Sequence, residues 1–245
     1  MSNIESPKHV VITGGTSGIG LELVRQLYKH NRISVIARPS RRLKELRQAF
    51  PNATVVEADL SDSNSVATAA DAIVKLNKPV DVLINNAAVQ FTAHFMDDDF
   101  CVETIKREID VNLTTPAMLI YLLLPALTQS GNPIIMNINS GLGLVPKTSS
   151  AVYCATKGGM NILTQSLRNQ FEGTNVRVAQ AFLPLVDTQM TQGRGSGKLS
   201  AAQAACEIIH GLTGNGSDIY VGKVKLLRLI MRLSPALARR IMKAA

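Results

Sequence analysis

An α/β fold, with a doubly wound parallel sheet and helices on both faces, is predicted by three features of the 245-residue chain. Short β-branched runs alternate with longer segments of helical periodicity along most of its length. The first run, His9 to Ile12, passes through the glycine-rich turn Thr13 to Gly20 straight into the helical pattern Leu21, Leu23, Val24 and Leu27. Apolar residues make up 46% of the chain, which at this length is enough to bury one full core.

That opening strand, turn and helix suit a dinucleotide. Glycines let backbone approach a pyrophosphate, and the helix N-terminus offers unpaired N–H groups and a positive dipole end. The spacing Gly14, Gly18, Gly20 departs from the usual G-x-G-x-x-G, and Gly also serves any tight connection. The flanking strand and helix are the context the motif demands.

Ile33 to Ala37 reads as the second strand and hands over to Arg38, Pro39, Ser40, Arg41 and Arg42. An acid here would hold ribose hydroxyls, whereas Arg accommodates a 2′-phosphate. With no acid and three Arg, NADP(H) is expected over NAD(H). Arg38 is the first choice for the phosphate, with Ser40, Arg41 and Arg42 as helpers and at least one of Arg41 and Arg42 a solvated charge.

Ala53 to Ala58 is the third strand, followed by Asp59, Leu60 and Ser61, with Ser61 placed to cap a helix running toward Leu76. Asp59 is a candidate to face the adenine. Asp81 to Ile84 is a fourth strand ending in Asn85, Asn86, Ala87 and Ala88, small and polar where backbone lies against a ligand, although Asn also forms simple turns. Asp97 to Asp110 is charged and expected to be helical from a solvated start at Asp97, Asp98 and Asp99. A buried helix follows from Asn112 through Leu127. Pro133 to Asn139 is the fifth strand, ending at Ser140 and Gly141.

Tyr153 and Lys157 lie four residues apart in the next helix, which Val152, Met160, Leu163 and Leu167 extend to about Phe171. At that spacing the two side chains share a face. A phenol titrates at about 10, and a fixed cation beside it lowers that value, making it a usable proton donor or acceptor. Asn175 to Ala181 is a sixth strand leading to Leu183 through Thr188. Gln189 to Lys198, with Gly193, Gly195 and Gly197, is either a mobile lid or a slack loop. A helix over Ser200 to Gly211 and a strand at Asp218 to Val221 complete a body spanning residues 1–222.

The ordered set Thr13 to Gly20, Asp59, Asn85 to Ala87, Asn112, Ser140, Tyr153 with Lys157, and Pro184 to Thr188 resembles the short-chain dehydrogenase/reductases, over roughly Lys8 to Val221. The resemblance implies a Rossmann-type seven-stranded sheet, hydride transfer between NADP(H) and a small carbonyl or alcohol, and a homo-oligomer. It makes Tyr153 the acid/base, Lys157 the ribose-holding cation that lowers the phenol pKa, Ser140 the hydroxyl that orients the substrate oxygen, and Asn112 the holder of a water linking Lys157 to solvent. It assigns Gly14, Thr16, Ser17, Gly18, Ile19 and Gly20 to the pyrophosphate, Arg38, Ser40 and Arg42 to the 2′-phosphate, Asp59 and Leu60 to the adenine, and Asn85 and Ala87 to the adenosine side. Tyr153 and Lys157 also line the nicotinamide end, with Pro184, Val186 and Thr188 at its carboxamide.

Two positions depart from the family pattern: Ala88 stands where Gly follows Asn-Asn-Ala, and Leu183-Pro184 where Pro-Gly precedes Val-x-Thr. With Gln90, this variant turn is similar to the bacterial short-chain oxidoreductases of D-alanylation operons. Leu142, Leu144 and Val145 suggest an apolar substrate pocket, with Gln90 and His94 as polar candidates and Arg194 a solvated charge. The rival function is a non-catalytic NADP(H)-binding regulatory or scaffold protein. Against it, a mere binder has no use for a complete acid/base set.

Cys101, Cys154 and Cys206 are far apart and the four histidines are scattered, so neither a disulfide nor a metal site is suggested. With the polar start Met1 to Lys8 and no apolar run long enough to span a bilayer, a cytoplasmic protein is expected. Net charge is +8, but Lys223, Lys225, Arg228, Arg232, Arg239, Arg240 and Lys243 fall in a segment without an acid. The basicity is local, and with no Trp and few aromatics a nucleic-acid partner is not expected. Residues 223–245 read as a basic helical extension, in which Leu227, Ile230, Leu237 and Ile241 form an apolar stripe and Pro235 opens a second helix. The stripe either packs on the body or a second subunit, or rests peripherally on an anionic membrane.

Overall fold

β1 (His9–Thr13) is buried at every position, as a strand covered by helices on both faces must be. The computed structural model describes residues 7–214 and 216–243. In chain order β1 leads to α1 (Gly18–Leu27), β2 (Arg32–Ala37), α2 (Arg41–Ala49), β3 (Thr54–Glu57), α3 (Ser63–Val74) and β4 (Val82–Asn85). Then come α4 (Val102–Ile109), α5 (Thr115–Leu127), β5 (Ile134–Ser140), α6 (Ala151–Gln170) and β6 (Arg177–Leu183). A short strand pair, β7 (Val186–Asp187) and β8 (Leu199–Ser200), precedes α7 (Ala201–Thr213), β9 (Asp218–Tyr220), α8 (Val224–Leu233) and α9 (Pro235–Lys243).

Seven strands form one sheet in the order β3-β2-β1-β4-β5-β6-β9, every pair parallel. Alternate residues of β1 serve opposite faces. Val10 and Ile12 pack with Leu23 and Val24 of α1 and Ala204 and Ile208 of α7. Val11 packs on the other side with Val66 and Ile73 of α3 and Leu119 and Leu123 of α5. The strand order reverses between β1 and β4, and a crevice opens at the carboxyl ends of these strands.

Several local expectations are corrected. Asp62, not Ser61, caps α3, its carboxylate accepting from Asn64 N and Ser65 N. Ser61 instead bonds back to Asp59. Asp97 to Asp99 lie in turns ahead of α4, which starts only at Val102. A π-helical turn, Asp110–Thr114, joins α4 to α5, so Val102–Leu127 is one helical run. That run is long and apolar enough to cross a membrane, contrary to expectation. Here it lies against the body, with Leu119, Leu123 and Leu127 fully buried.

The segment after β6 is more ordered than its glycines suggest. β7 and β8 pair in parallel and pinch together the base of the 189–198 loop. Lys198 Nζ reinforces the pinch by donating to Thr191 O at 2.7 Å.

The C-terminal extension packs on the body through Val224 and Leu227. Val224 and Ala238 are buried, and Leu227 lies next to Gly141. Leu237 and Ile241, expected in the same stripe as Leu227, are instead exposed.

Candidate active site and nucleotide cleft

Ser140 ends β5 and Tyr153 and Lys157 project from one face of α6, so a strand end and a helix converge at the crevice. Lys157 is 4% exposed, and its Nζ donates to Ile138 O at 2.8 Å. The same Nζ lies 5.7 Å from the centre of the Tyr153 ring. Burial lowers the Lys157 pKa to about 8. Burial also pushes the Tyr153 phenol up to about 12, outweighing the downward pull of a hydrogen bond with Ser140 and of the Arg194 charge. The expected depression of the phenol by Lys157 is overturned: desolvation dominates a buried acid.

Asn112 sits in the π turn and is 1% exposed. Its Oδ1 accepts from Val89 N, and its Nδ2 donates to Val89 O, each at 2.9 Å, and to Thr156 Oγ1 at 3.2 Å. Two of these bonds tie the loop after β4 to the π turn, and the third ties the π turn to α6. The side chain therefore acts as a clamp.

The glycine turn has the form a dinucleotide needs. Gly14 and Gly18 have φ of 70° and 52°, values that a side chain strains against. A Cβ at Gly14 would come within 3.0 Å of Ala87 Cα, and one at Gly20 would collide with the Gly14 carbonyl oxygen. Ser17 stands at the N-cap of α1 with no side-chain bond to the backbone, so the first-turn N–H groups have no partner from it. Thr16 and Ile19 flank these positions, half-buried. Across the cleft, a Cβ at Gly18 would lie 2.9 Å from Thr188 Cγ2, so the turn and the Val186 to Thr188 segment face each other. Val186 is buried, Pro184 half-buried, and Thr188 opens a capping box with Thr191.

Arg38 is exposed at the end of β2, and its charge helps lower the Asp59 pKa, after hydrogen bonding from Ser61. Ser40 caps α2, accepting from Leu43 N at 3.2 Å. Arg41 pairs with Glu45 on its own helix, whereas Arg42 donates to Gln189 Oε1 across the cleft. Leu60 is buried, its carbonyl accepting from Thr115 Oγ1.

Asn85 does not turn toward the cleft. It is 4% exposed, and its Nδ2 donates to Asn137 Oδ1 at 2.8 Å. The neighbouring Asn86, named in the sequence only as part of the small polar run after β4, donates from Nδ2 to Thr13 O and Gly14 O and holds the glycine turn. Ala87 N donates to Thr13 Oγ1 at 3.0 Å.

Three other side chains were not anticipated in their actual roles. Glu108, on the helix read from its charges alone, is 2% exposed and accepts from Phe91 N at 2.8 Å. Arg194 is half-buried, not solvated, and donates to Gln90 Oε1 at 3.0 Å, while Gln90 Nε2 donates to Ser150 Oγ at 3.1 Å. This chain of bonds ties the 189–198 loop over the start of α6. Beside it lies a cavity of about 230 Å³ lined by Phe91, Phe95, Phe100, Glu108 and Ser150. Val145 is buried and Leu142 and Leu144 half-buried, while His94 is exposed.

The short chain dehydrogenase family profile matches residues 8–198. The chain belongs to the short-chain dehydrogenase family. Among its curated relatives is the uncharacterized oxidoreductase DltE of Bacillus subtilis, 33% identical over 184 residues, covering 75% of this chain and 73% of that protein. The fold is similar to that of a short chain dehydrogenase from Burkholderia cenocepacia in complex with NADP, at TM-score 0.86 and 23% identity, covering 99% and 100% of the two chains. It is also similar to a short-chain dehydrogenase from Sphingobium yanoikuyae in complex with NADPH, at TM-score 0.79 and 22% identity, covering 94% and 95%. As a short-chain dehydrogenase the chain is an oxidoreductase.

Proposed function

We propose that this short-chain dehydrogenase is an NADP(H)-dependent carbonyl reductase in which Tyr153 is the proton donor. The observation that carries the proposal is the Tyr153 phenol, buried beside Ser140 and Lys157 and kept protonated by a pKa of about 12. An acid that stays neutral can give its proton to an oxygen on which negative charge develops.

When bound, NADPH supplies the hydride. Ser140 orients the carbonyl oxygen, Tyr153 delivers a proton to it, and an alcohol results. Lys157, charged below about pH 8, holds the nicotinamide ribose and offsets the charge left on the phenolate. Gly14 to Gly20 and the start of α1 hold the pyrophosphate. Arg38 holds the 2′-phosphate from the exposed end of β2, where no Asp or Glu directly follows the strand in sequence. The NADP and NADPH complexes of the two structural relatives support this choice of nucleotide. The exposed apolar side chains Val102, Ile109, Tyr121 and Ile162 on α4 to α6 support pairing with a second copy.

Fluorescence titration with NADPH and NADH, followed by a panel of aldehydes, ketones and quinones, tests the proposal. NADPH-preferring binding with turnover of a carbonyl is expected. Tight binding without turnover across the panel would favour a regulatory nucleotide binder instead, and no binding of either nucleotide would overturn the proposal altogether.

A further inference from the structure

α8 and α9 each have two apolar faces, and only one is used by the fold. Val224 and Leu227 lie beside Gly141 of the body, and Ala238 is buried. On the other face Leu226, Leu229 and Leu233, at i, i+3 and i+7, are 59%, 52% and 76% exposed, and Leu237 and Ile241 continue the stripe at 48% and 43%. Five large aliphatic side chains thus stand in water on consecutive helices.

The charges beside them are of one sign. The segment from Lys223 onward holds seven Lys and Arg and no acid. Lys225 pairs with Glu207 of the body at 3.2 Å, and Arg228 stacks on Tyr220, its guanidinium 4.3 Å from the ring centre. These two contacts fasten α8. Among the described residues Arg232, Arg239, Arg240 and Lys243 are exposed and make no ion pair, so four cations accompany the apolar stripe.

We infer that this stripe and its cations form a docking surface for an anionic lipid bilayer. An aliphatic stripe bordered by Arg and Lys matches the acyl boundary and the anionic headgroups of one leaflet. Charge decides against a second copy as the occupant, because symmetric pairing would bring these cations against their own copies with no acid on the segment to offset them. The stripe contains no aromatic anchor, so attachment depends on charge and is reversible. α9 is also joined to the catalytic side of the molecule: Thr148, on the loop between Ser140 and Tyr153, donates from Oγ1 to Lys243 O at 2.8 Å. Docking therefore seats the wall of the active site beside the lipid surface. The inference rests on the surface alone and stands whether or not the proposed reduction is correct.

Sedimentation of the full-length protein with phosphatidylglycerol or phosphatidylcholine vesicles tests it. Partitioning at low salt should be at least about 10-fold stronger into the anionic vesicles, and should be lost near 1 M salt, where screening acts within about 3 Å. The double variant Leu229→Glu, Leu233→Glu and the double variant Arg232→Glu, Arg239→Glu should each lose about 10-fold in partitioning while retaining the wild-type thermal midpoint. Equal partitioning into both vesicle types, or none into either, would overturn the inference. So would a wild-type oligomer, seen by light scattering, that the leucine variant dissociates without any change in vesicle binding.

Discussion

Lys157 holds its ammonium 5.7 Å from the centre of the Tyr153 ring while donating to the carbonyl oxygen of Ile138 at 2.8 Å. The anchoring bond orients the ammonium, yet burial moves both groups toward neutrality, the phenol up to about 12 and the ammonium down to about 8. Desolvation penalises each charge separately. Burial therefore keeps the phenol neutral beside a cation that titrates close to neutral pH.

Tyr153→Phe removes the donor oxygen and preserves the ring. Turnover should fall about 10²–10⁴-fold, while NADPH affinity should change by less than about 3-fold, because the glycine turn and Arg38 are untouched. Stopped-flow turnover with parallel fluorescence titration checks both values. Undiminished turnover would remove Tyr153 from the mechanism.

The pH profile should reflect Lys157 and not Tyr153. Lys157 loses its proton above about 8, and the phenol keeps its own to about 12. For carbonyl reduction, kcat/KM should decline on the alkaline side from about 8. In Lys157→Arg the guanidinium stays charged throughout this range, so whatever activity remains should keep its plateau past pH 9. A limb left at 8 in that variant would assign the titration to another group.

The elements most visible in the sequence are those whose signals are local. β1, the glycine turn and α1 are adjacent in the chain, and Tyr153 and Lys157 are four residues apart on one helix, so propensity and spacing suffice to place them. The π turn at Asp110–Thr114 is different. It depends on Asn112 reaching Val89 and Thr156, contacts across 23 and 44 residues that no short window contains. Glu108 has the same character, because it became a buried acceptor only through Phe91 N. The choice between Asn85 and Asn86 turned on strand alternation: the pleat sends Asn85 to Asn137 and leaves Asn86 facing the glycine turn. In the C-terminal extension, helical spacing showed an apolar stripe, but which leucines meet the body was decided by how α8 docks.

Arg38→Asp should discriminate between the two nucleotides. If Arg38 holds the 2′-phosphate, the variant should weaken NADPH by about 10- to 100-fold, the loss of one charge-assisted contact of roughly 1.5–3 kcal/mol. NADH affinity should be unchanged or improved, since Asp can accept from a ribose hydroxyl. Equal losses for both nucleotides would place Arg38 elsewhere in the cleft. Arg42 is already engaged by Gln189, so Arg42→Ala should have the smaller effect.

Acid lability should trace in part to His9. Its ring is 1% exposed and lies between Pro79 O at 3.0 Å and Ser34 Oγ at 2.8 Å, joining β1 to β2 and to the turn before β4. Burial lowers its pKa below the usual 6.5, outweighing the hydrogen bond to Pro79 O. The folded state thus binds the imidazole proton less readily than the unfolded chain does. Stability from the neutral ring is fully present above about 6.5, and it declines as pH falls toward the lowered folded value. His9→Gln cannot titrate, so its urea midpoint should fall less than that of the wild type between pH 7.5 and 5.5. At pH 7.5 the variant should be about 1–3 kcal/mol less stable, because Gln does not reproduce both buried ring contacts. Parallel midpoint shifts in the two proteins would show that His9 contributes nothing to the acid transition.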